Sequence, residues 1–534
     1  MKYLLAFFFL LISAVMFCQQ DAWVYFNAKP SAQSYLDSPS LMLSQRALDR
    51  RTNQNIGLNF TDIPLEEAYV AQIKSSTGIV IMAQSKWLNA LHIRGSQTNI
   101  SALKSFSFVD KVVFANKILN TTSKKVFENK ISQANDKLKT TVNYTYGTSA
   151  NQIQMLNGQV LHENNYAGSG KIIAVLDAGF PGVNTAQPFQ NLVADNRILG
   201  GYDFVSRNEN FYAGDDHGTL VLSTMAGYKE NFLIGTAPDA SYYLFITEND
   251  AVENPVEESL WVEAAEKADS LGVDIITTSL GYFGDFTNPD YNHTYSDMNG
   301  TTNFISRGAE IAFSKGIIVV ASAGNEGTTA EPHIGAPADA VSVITVGSVT
   351  ASKSKSGFSS IGPSFDGRIK PDVMAQGSLA VVSDASGNIG VANGTSFSCP
   401  IMAGVIACLW QAFPNKTNQE IRQMILQSSD KFPFPDNNFG YGIPDFGSAL
   451  GLQAVKNTDF IVYPNPAMTN VTFVFPDEIK NASVTVYSIL GQKVIQKEIS
   501  SHNPDLSVQN LNSGLYFYTF DANGVYKTGK IIKK

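Results

Sequence analysis

Four short stretches of the chain carry residue types that could do chemistry together. NGTSFSCP (393–400) contains Ser396, DDHGTL contains His217, KIIAVLDAGF contains Asp177 and IIVVASAGNEG contains Asn325. A serine hydroxyl is a poor nucleophile alone. It needs an imidazole to take its proton and a carboxylate to hold that imidazole in the right tautomer. The Asn325 amide, with the backbone N–H of Ser396 at a helix start, would donate toward developing negative charge as an oxyanion hole. Taken singly, Ser396 in a GTS turn is a helix cap, His217 beside Asp215 and Asp216 is a loop histidine or weak metal ligand, and Asp177 ends a strand. Taken together they point to acyl transfer by an activated serine.

The elements that must position these groups are legible between about 145 and 455. Apolar strands (KIIAVLD, SYYLFIT, VDIITTSL, IIVVASAG, SVITVGSV) alternate with helix-like segments (VEESLWVEAAEKADSLG, FISRGAEIAFSKG). This pattern predicts an α/β domain, a parallel sheet with helices on both faces. Asp177 falls at the carboxyl end of its strand, the sheet edge where sites are built. His217 stands where a helix would begin. Ser396 opens a helix apolar on nearly all sides, IMAGVIACLW, hence one buried through the domain centre. Pro400, lacking an N–H, is tolerable only near the first turn and so locates the helix start. Cys399 points elsewhere around the helix than Ser396, and it and Ser398 read as packing.

Residues 20–140 contain the strand-like runs GIVIMAQ, ALHIRGS and VDKVVFA, with NISALKSF as a short helix opened by Asn99 or Ser101. They predict a small α+β unit ending in a polar linker over about 120–150. From Phe460 the alternation has period two, and 458–534 predicts an all-β sandwich.

The 534 residues are 44% hydrophobic and 16% charged, which describes packed globular material in two to four domains. A net charge of -9 and a pI near 5.3 exclude a phosphate-wrapping surface, and nucleic acid with it. MKYLLAFFFLLISAVMFCQQ, residues 1–19 and just beyond, has the layout of a secretory signal peptide. Its apolar run falls short of the roughly 20 residues that span a bilayer, and no later segment is expected to span. Besides Cys18, only Cys399 and Cys408 are present, predicted as free buried thiols. The histidines at 92, 162, 293, 333 and 502 read as structural. The carboxylates of ESLWVEAAEKADS read as a solvated helix face, Glu263 and Lys267 having i, i+4 spacing.

DAG at 177, HGT at 217, SAGNEG at 322 and GTSFSCP at 394, in that order, resemble the four signatures of subtilisin-like serine proteases. SLG at 279, SGFSSIGP at 356 and IKPDVMAQG at 369 resemble further family motifs, and the resemblance covers roughly 145–455. It departs at Leu220, where the family often has a second histidine, and at Ser398 and Cys399, where alanine-sized residues are usual. The resemblance implies Asp177, His217 and Ser396 as the catalytic residues, Asn325 as the oxyanion donor, and no cofactor for the chemistry. It also implies Ser279, Leu280 and Gly281, with Ser322, Ala323 and Gly324, as the walls that receive a protein or peptide substrate. Structural calcium is common in the family, but no dedicated loop pattern marks it here, and no metal ligand is assigned.

By the same reasoning residues 20–140 resemble the inhibitory propeptide that precedes many such domains. The tail, through YPNP, LGQ, SGLY and KIIK, resembles the C-terminal sorting domain of type IX secretion cargo. This implies a protein secreted or held at the outer-membrane surface after passing through the periplasm, with the type IX machinery as a partner. The rival from another class is a catalytically inactive domain of the same fold serving as a binding module. A serine esterase is the rival enzyme, but the G-x-S-x-G elbow is absent.

Overall fold

The computed structural model describes residues 19–120, 144–249, 251–451, 461–475, 479–489, 491–500, 503–522 and 525–534. The apolar leader with Cys18, most of the polar linker and His502 lie outside the described residues. The chain divides into two units, residues 1–446 and 447–534.

The centre of the first unit is a seven-stranded sheet. Its strands run in the order Val373–Gln376, Ile344–Val349, Ile318–Ser322, Ile275–Thr278, Ile172–Asp177, Ser241–Ile246 and Ile198–Asp203, and every pairing is parallel. Strands such as Ile172–Asp177 are buried at every residue, because a parallel sheet is covered on both faces. Helices Val256–Leu271 and Phe304–Ser314 share one apolar core with the sheet. Helix Thr395–Ala412 packs against the strands at 275–278, 318–322, 344–349 and 373–376. It is long and apolar enough to cross a membrane, contrary to the expectation that no later segment would be, yet 94% of it is buried inside the protein. Length and composition do not separate a spanning helix from a central core helix.

Ahead of this domain a four-stranded antiparallel sheet runs in the order Ile79–Ser85, Ala90–Ser96, Gln19–Phe26, Val109–Phe114. The period-two alternation of Gln19–Phe26 divides its labour. Ala22, Val24 and Phe26 fill the small unit's own core, whereas Trp23 and Tyr25 join the core of the larger domain. Trp23 stacks on Phe304 at 5.3 Å and donates its Nε1–H to Ser259 Oγ at 2.9 Å. The short helix begins after Ser96 rather than at Asn99 or Ser101. The Ser96 hydroxyl accepts the Asn99 N–H at 3.2 Å, so the cap lies at the end of the preceding strand.

The carboxylates of helix Val256–Leu271 do not form a solvated face, because the small unit docks on Glu266 and Asp269 and the larger domain's own residues take up Glu258 and Glu263. Glu258 pairs with His293 at 2.8 Å, and Glu266 accepts from Ser85 Oγ and the N–H groups of Lys86 and Trp87. Asp269 is sealed against Arg50 and Arg51, and Glu263 bonds Arg207 at 2.9 Å rather than Lys267. Burial pushes the Glu266 carboxyl up to about 7, against the pull of Lys86 and those three donors.

In the second unit the named strands pair antiparallel, with one isolated parallel bridge between Ala467 and Lys533. A three-stranded sheet (Ile461–Tyr463, Asn470–Val474, Asp505–Ser507) and a four-stranded one (Lys493–Ser500, Asn481–Ser488, Gly514–Ala522, Val525–Lys533) enclose Val471, Phe473, Val484, Val486 and Phe520.

Candidate active site

Asp177 is the last residue of its strand and has no exposed side-chain surface. Its Oδ1 accepts the Ala178 N–H at 2.8 Å and faces His217 Nδ1 at 2.7 Å, while Oδ2 is buried with no hydrogen-bond partner among the described residues. His217 opens helix His217–Ala226, and its N–H donates to Asp215 Oδ1 at 2.9 Å. The two residues after His217 explain how this helix comes so close to the strand. A Cβ on Gly218 would lie 2.4 Å from Gly179 O and 3.0 Å from Asp177 Cβ, and Thr219 Oγ1 donates to Pro181 O at 2.7 Å. Thus HGT spells imidazole, close approach and lock.

The charge of Asp177 raises His217 to about 9 against the opposing effect of burial, with its hydrogen bond and the charges of Asp215 and Asp216 adding to it. Only 30% of the imidazole side chain is exposed, and its ring faces that of Phe397, the residue after Ser396, at 6.2 Å.

Ser396 is the second residue of helix Thr395–Ala412 and is 8% exposed. Gly394, the N-cap, has φ of 153°, which an L side chain rarely adopts. Pro400 lies at the sixth helical residue, past the first turn where the sequence placed it. The N–H it lacks would have bonded the Ser396 carbonyl. Ser279 Oγ supplies that bond instead at 2.8 Å, which is why the helix tolerates the proline. Among the described residues the Ser396 hydroxyl has one hydrogen bond, to the Ser279 carbonyl at 3.4 Å.

Asn325 sits at the exit of strand Ile318–Ser322. Its Oδ1 accepts from Thr395 N at 2.9 Å and Thr395 Oγ1 at 3.1 Å, and among the described residues its Nδ2 hydrogens have no hydrogen-bond partner. Thr395 Oγ1 in turn accepts the Gly324 N–H at 3.2 Å. One threonine therefore ties the serine helix to the strand bearing Asn325, a role for which the sequence offered only a turn.

The expected walls divide by burial. Leu280 and Ala323 are buried, Leu280 in the apolar cluster, so their side chains pack inward. Ser322 is also buried, and Ser279 is occupied with Ser396. Gly281 is exposed, with nothing nearer a hypothetical Cβ than Ala336 O at 3.9 Å, so its backbone is accessible. Gly324, with φ of 99°, lies beside Ser360, whose N–H donates to its carbonyl. Cys399 is fully buried against the carbonyls of Thr278 and Val320, and burial pushes its thiol up to about 12. Cys399 and Cys408 are both free. Among the described residues no three His, Cys, Asp or Glu side chains gather where they could hold a metal ion.

Residues 168–442 match the Subtilase family, residues 21–133 the Peptidase S8 propeptide domain of Bacteroidota, and residues 461–534 the Secretion system C-terminal sorting domain. The chain is 30% identical over 293 residues to Subtilisin NAT of Bacillus subtilis subsp. natto and to Subtilisin E of Bacillus subtilis (strain 168), covering 54% of this chain and 68% of each relative. It is 29% identical over 317 residues to the Serine protease AprX of the latter organism, covering 54% of this chain and 66% of that protein. With its sheet, its helices and a match over more than half its length, the chain belongs to the subtilase family and carries a propeptide and a secretion-type sorting domain.

Proposed function

We propose that this protein is an exported serine endopeptidase in which Ser396 is the nucleophile, His217 the general base and Asp177 the group that orients and stabilises the imidazolium. The observation that carries the reading is the 2.7 Å contact between His217 Nδ1 and a fully buried Asp177 carboxylate, beside the start of the helix that bears Ser396. The Ser396 hydroxyl faces the Ser279 carbonyl and would turn toward His217 Nε2 on substrate binding, as catalytic contacts commonly tighten only in the bound complex. The serine attacks the peptide carbonyl as His217 takes its proton. The oxyanion receives hydrogen bonds from Asn325 Nδ2 and the Ser396 N–H, and His217 then protonates the departing amine. Water hydrolyses the acyl-enzyme by the same proton path.

The substrate is an unfolded or extended protein segment, laid along the backbone at Ser279–Gly281 and Ser322–Gly324. Residues 145–455 form the catalytic domain, 20–140 the propeptide with its linker, and 458–534 the export tail, which engages the type IX machinery after passage through the periplasm. The cut that frees the catalytic domain falls in the linker ahead of Tyr144. Downstream, Tyr146 is already anchored, its hydroxyl 2.8 Å from His162 Nδ1.

Incubating purified, processed protein with casein, with and without a covalent serine-directed inhibitor, tests the reading. Inhibitor-sensitive cleavage is the expected result. No cleavage by the processed protein would favour an inactive binding module instead.

A further inference from the structure

The small N-terminal unit touches the catalytic domain at several places, and two of them differ in chemistry. One is the sheet face already described, with Trp23, Tyr25 and the turn at Ser85–Trp87 on helices Val256–Leu271 and Phe304–Ser314. The other is a separate segment, Ser44–Ile63, which includes helix Gln45–Asn53 and reaches the opposite edge of the parallel sheet from Asp177 and Ser396.

There it meets the turns that feed three parallel strands. Arg46 donates to Gly272 O at 2.9 Å, to Gly170 O at 2.9 Å and to Asp274 Oδ2 at 2.5 Å. Arg50 donates to Val273 O, to Lys315 O at 3.2 Å and to Asp269 Oδ1 at 2.5 Å. Arg51 grips both oxygens of Asp269 at 2.9 Å each and reaches Asp62 at 2.5 Å, while Asp62 also pairs with Lys315 at 3.0 Å. Gln54 closes the row by donating to Gly316 O and accepting from Asn418 N. The side chains of Arg50, Arg51, Asp62, Asp269 and Lys315 are each no more than 4% exposed.

These contacts fit the ends they meet. Helix Val256–Leu271 stops at Gly272 and helix Phe304–Ser314 at Lys315, and each leaves carbonyls without intrahelical partners. Arginine side chains satisfy such carbonyls and complement the negative end of a helix. The strands between the two sheet edges are four to six residues long, which at about 3.3 Å per residue separates this row from the catalytic groups by roughly 13–20 Å. A substrate entering at the catalytic edge does not displace it.

We propose that Ser44–Ile63 is a second docking arm, separate from the sheet face that carries Trp23 and Tyr25, and that its buried ion pairs set the rate at which the cleaved N-terminal fragment leaves the catalytic domain. This rests on residues 21–133 being the propeptide. The desolvated charges make the arm slow to leave, because withdrawing either partner strands a buried charge on the way out.

The test uses the full chain carrying Ser396→Ala and a recognition sequence for an added protease within residues 121–143. Cutting then needs no activity of the protein itself, so a chain with no peptidase function gives the same readout. After nicking, release of the N-terminal fragment on dilution is followed by size-exclusion chromatography. The parent fragment is expected to stay bound, and the Arg50→Ala/Arg51→Ala fragment to leave at least 10-fold faster. Asp269→Asn, made in the catalytic domain, should speed release likewise and add little to the arginine pair, since both remove one coupled interaction. Equal release from parent and variants, or loss of the parent fragment at the first dilution, overturns the proposal.

Discussion

Ser279 and Ser396 hold each other by a reciprocal pair of contacts: the Ser279 hydroxyl donates to the Ser396 carbonyl at 2.8 Å, and the Ser396 hydroxyl faces the Ser279 carbonyl at 3.4 Å. The first contact exists because Pro400, four residues on, has no N–H to offer. Ser396 is thereby positioned by a neighbouring strand end as well as by its own helix.

Replacing Ser279 with alanine should therefore act on stability and rate together. Loss of a donor to a buried carbonyl costs about 1–3 kcal/mol. Freeing the first turn of the helix should lower kcat by about 10- to 100-fold through misplacement of the hydroxyl. Chemical denaturation alongside steady-state kinetics checks both, and an unchanged kcat would mean that the helix alone fixes Ser396.

Asn325→Ala should reduce turnover by about 10²- to 10³-fold, the size of the effect measured for such a donor in subtilisin itself, a relative of this chain. Because Asn325 Oδ1 also accepts from Thr395, the same change should lower stability by about 1 kcal/mol. Turnover equal to that of the parent would remove Asn325 from the oxyanion assignment.

His217 must be neutral to accept a proton, and its neighbours raise it to about 9. The acid limb of kcat/KM should therefore climb with pH through that region rather than near 6.5. Asp215→Asn with Asp216→Asn should move the limb to lower pH, and Asp177→Asn should cost about 10⁴-fold in kcat by losing the correct tautomer. The stability linked to this raised pKa is fully present below the unfolded value near 6.5 and is lost as pH rises through about 9. A limb at 6.5 unmoved by the aspartate changes would contradict the assignment.

Cys399 should be inert. Its thiol is buried against the Thr278 and Val320 carbonyls and pushed up to about 12, so alkylating reagents should leave activity unchanged in the folded protein. Modification and inactivation in step would instead mark Cys399 as a competing nucleophile.

What the sequence disclosed follows from what each signal encodes. Asp177, His217 and Asn325 stand beside apolar runs whose length and alternation identify strand ends and a helix start, and the structure puts them there. Pro400 was misplaced because one missing donor constrains a helix only if no outside group replaces it, and Ser279 does. Helix Val256–Leu271 was misread for a related reason. Its carboxylates follow the spacing of a solvated face, yet Glu266 and Asp269 are covered by Ser85–Trp87 and Arg50–Arg51, partners some 180 to 220 residues away along the chain. Periodicity records polarity but not the identity of what covers it. The edge strand Ile198–Asp203, interrupted by two glycines, gave too weak an alternation to be seen.

The buried helix Thr395–Ala412 also sets an order of events. It carries Ser396, the proposed nucleophile, and packs on a sheet whose strands all precede it in the chain. A ribosome that has not yet passed residue 412 has made the strands of that sheet but not the whole helix that covers them and carries Ser396. Of the four groups that the proposed chemistry needs, at 177, 217, 325 and 396, the hydroxyl arrives last.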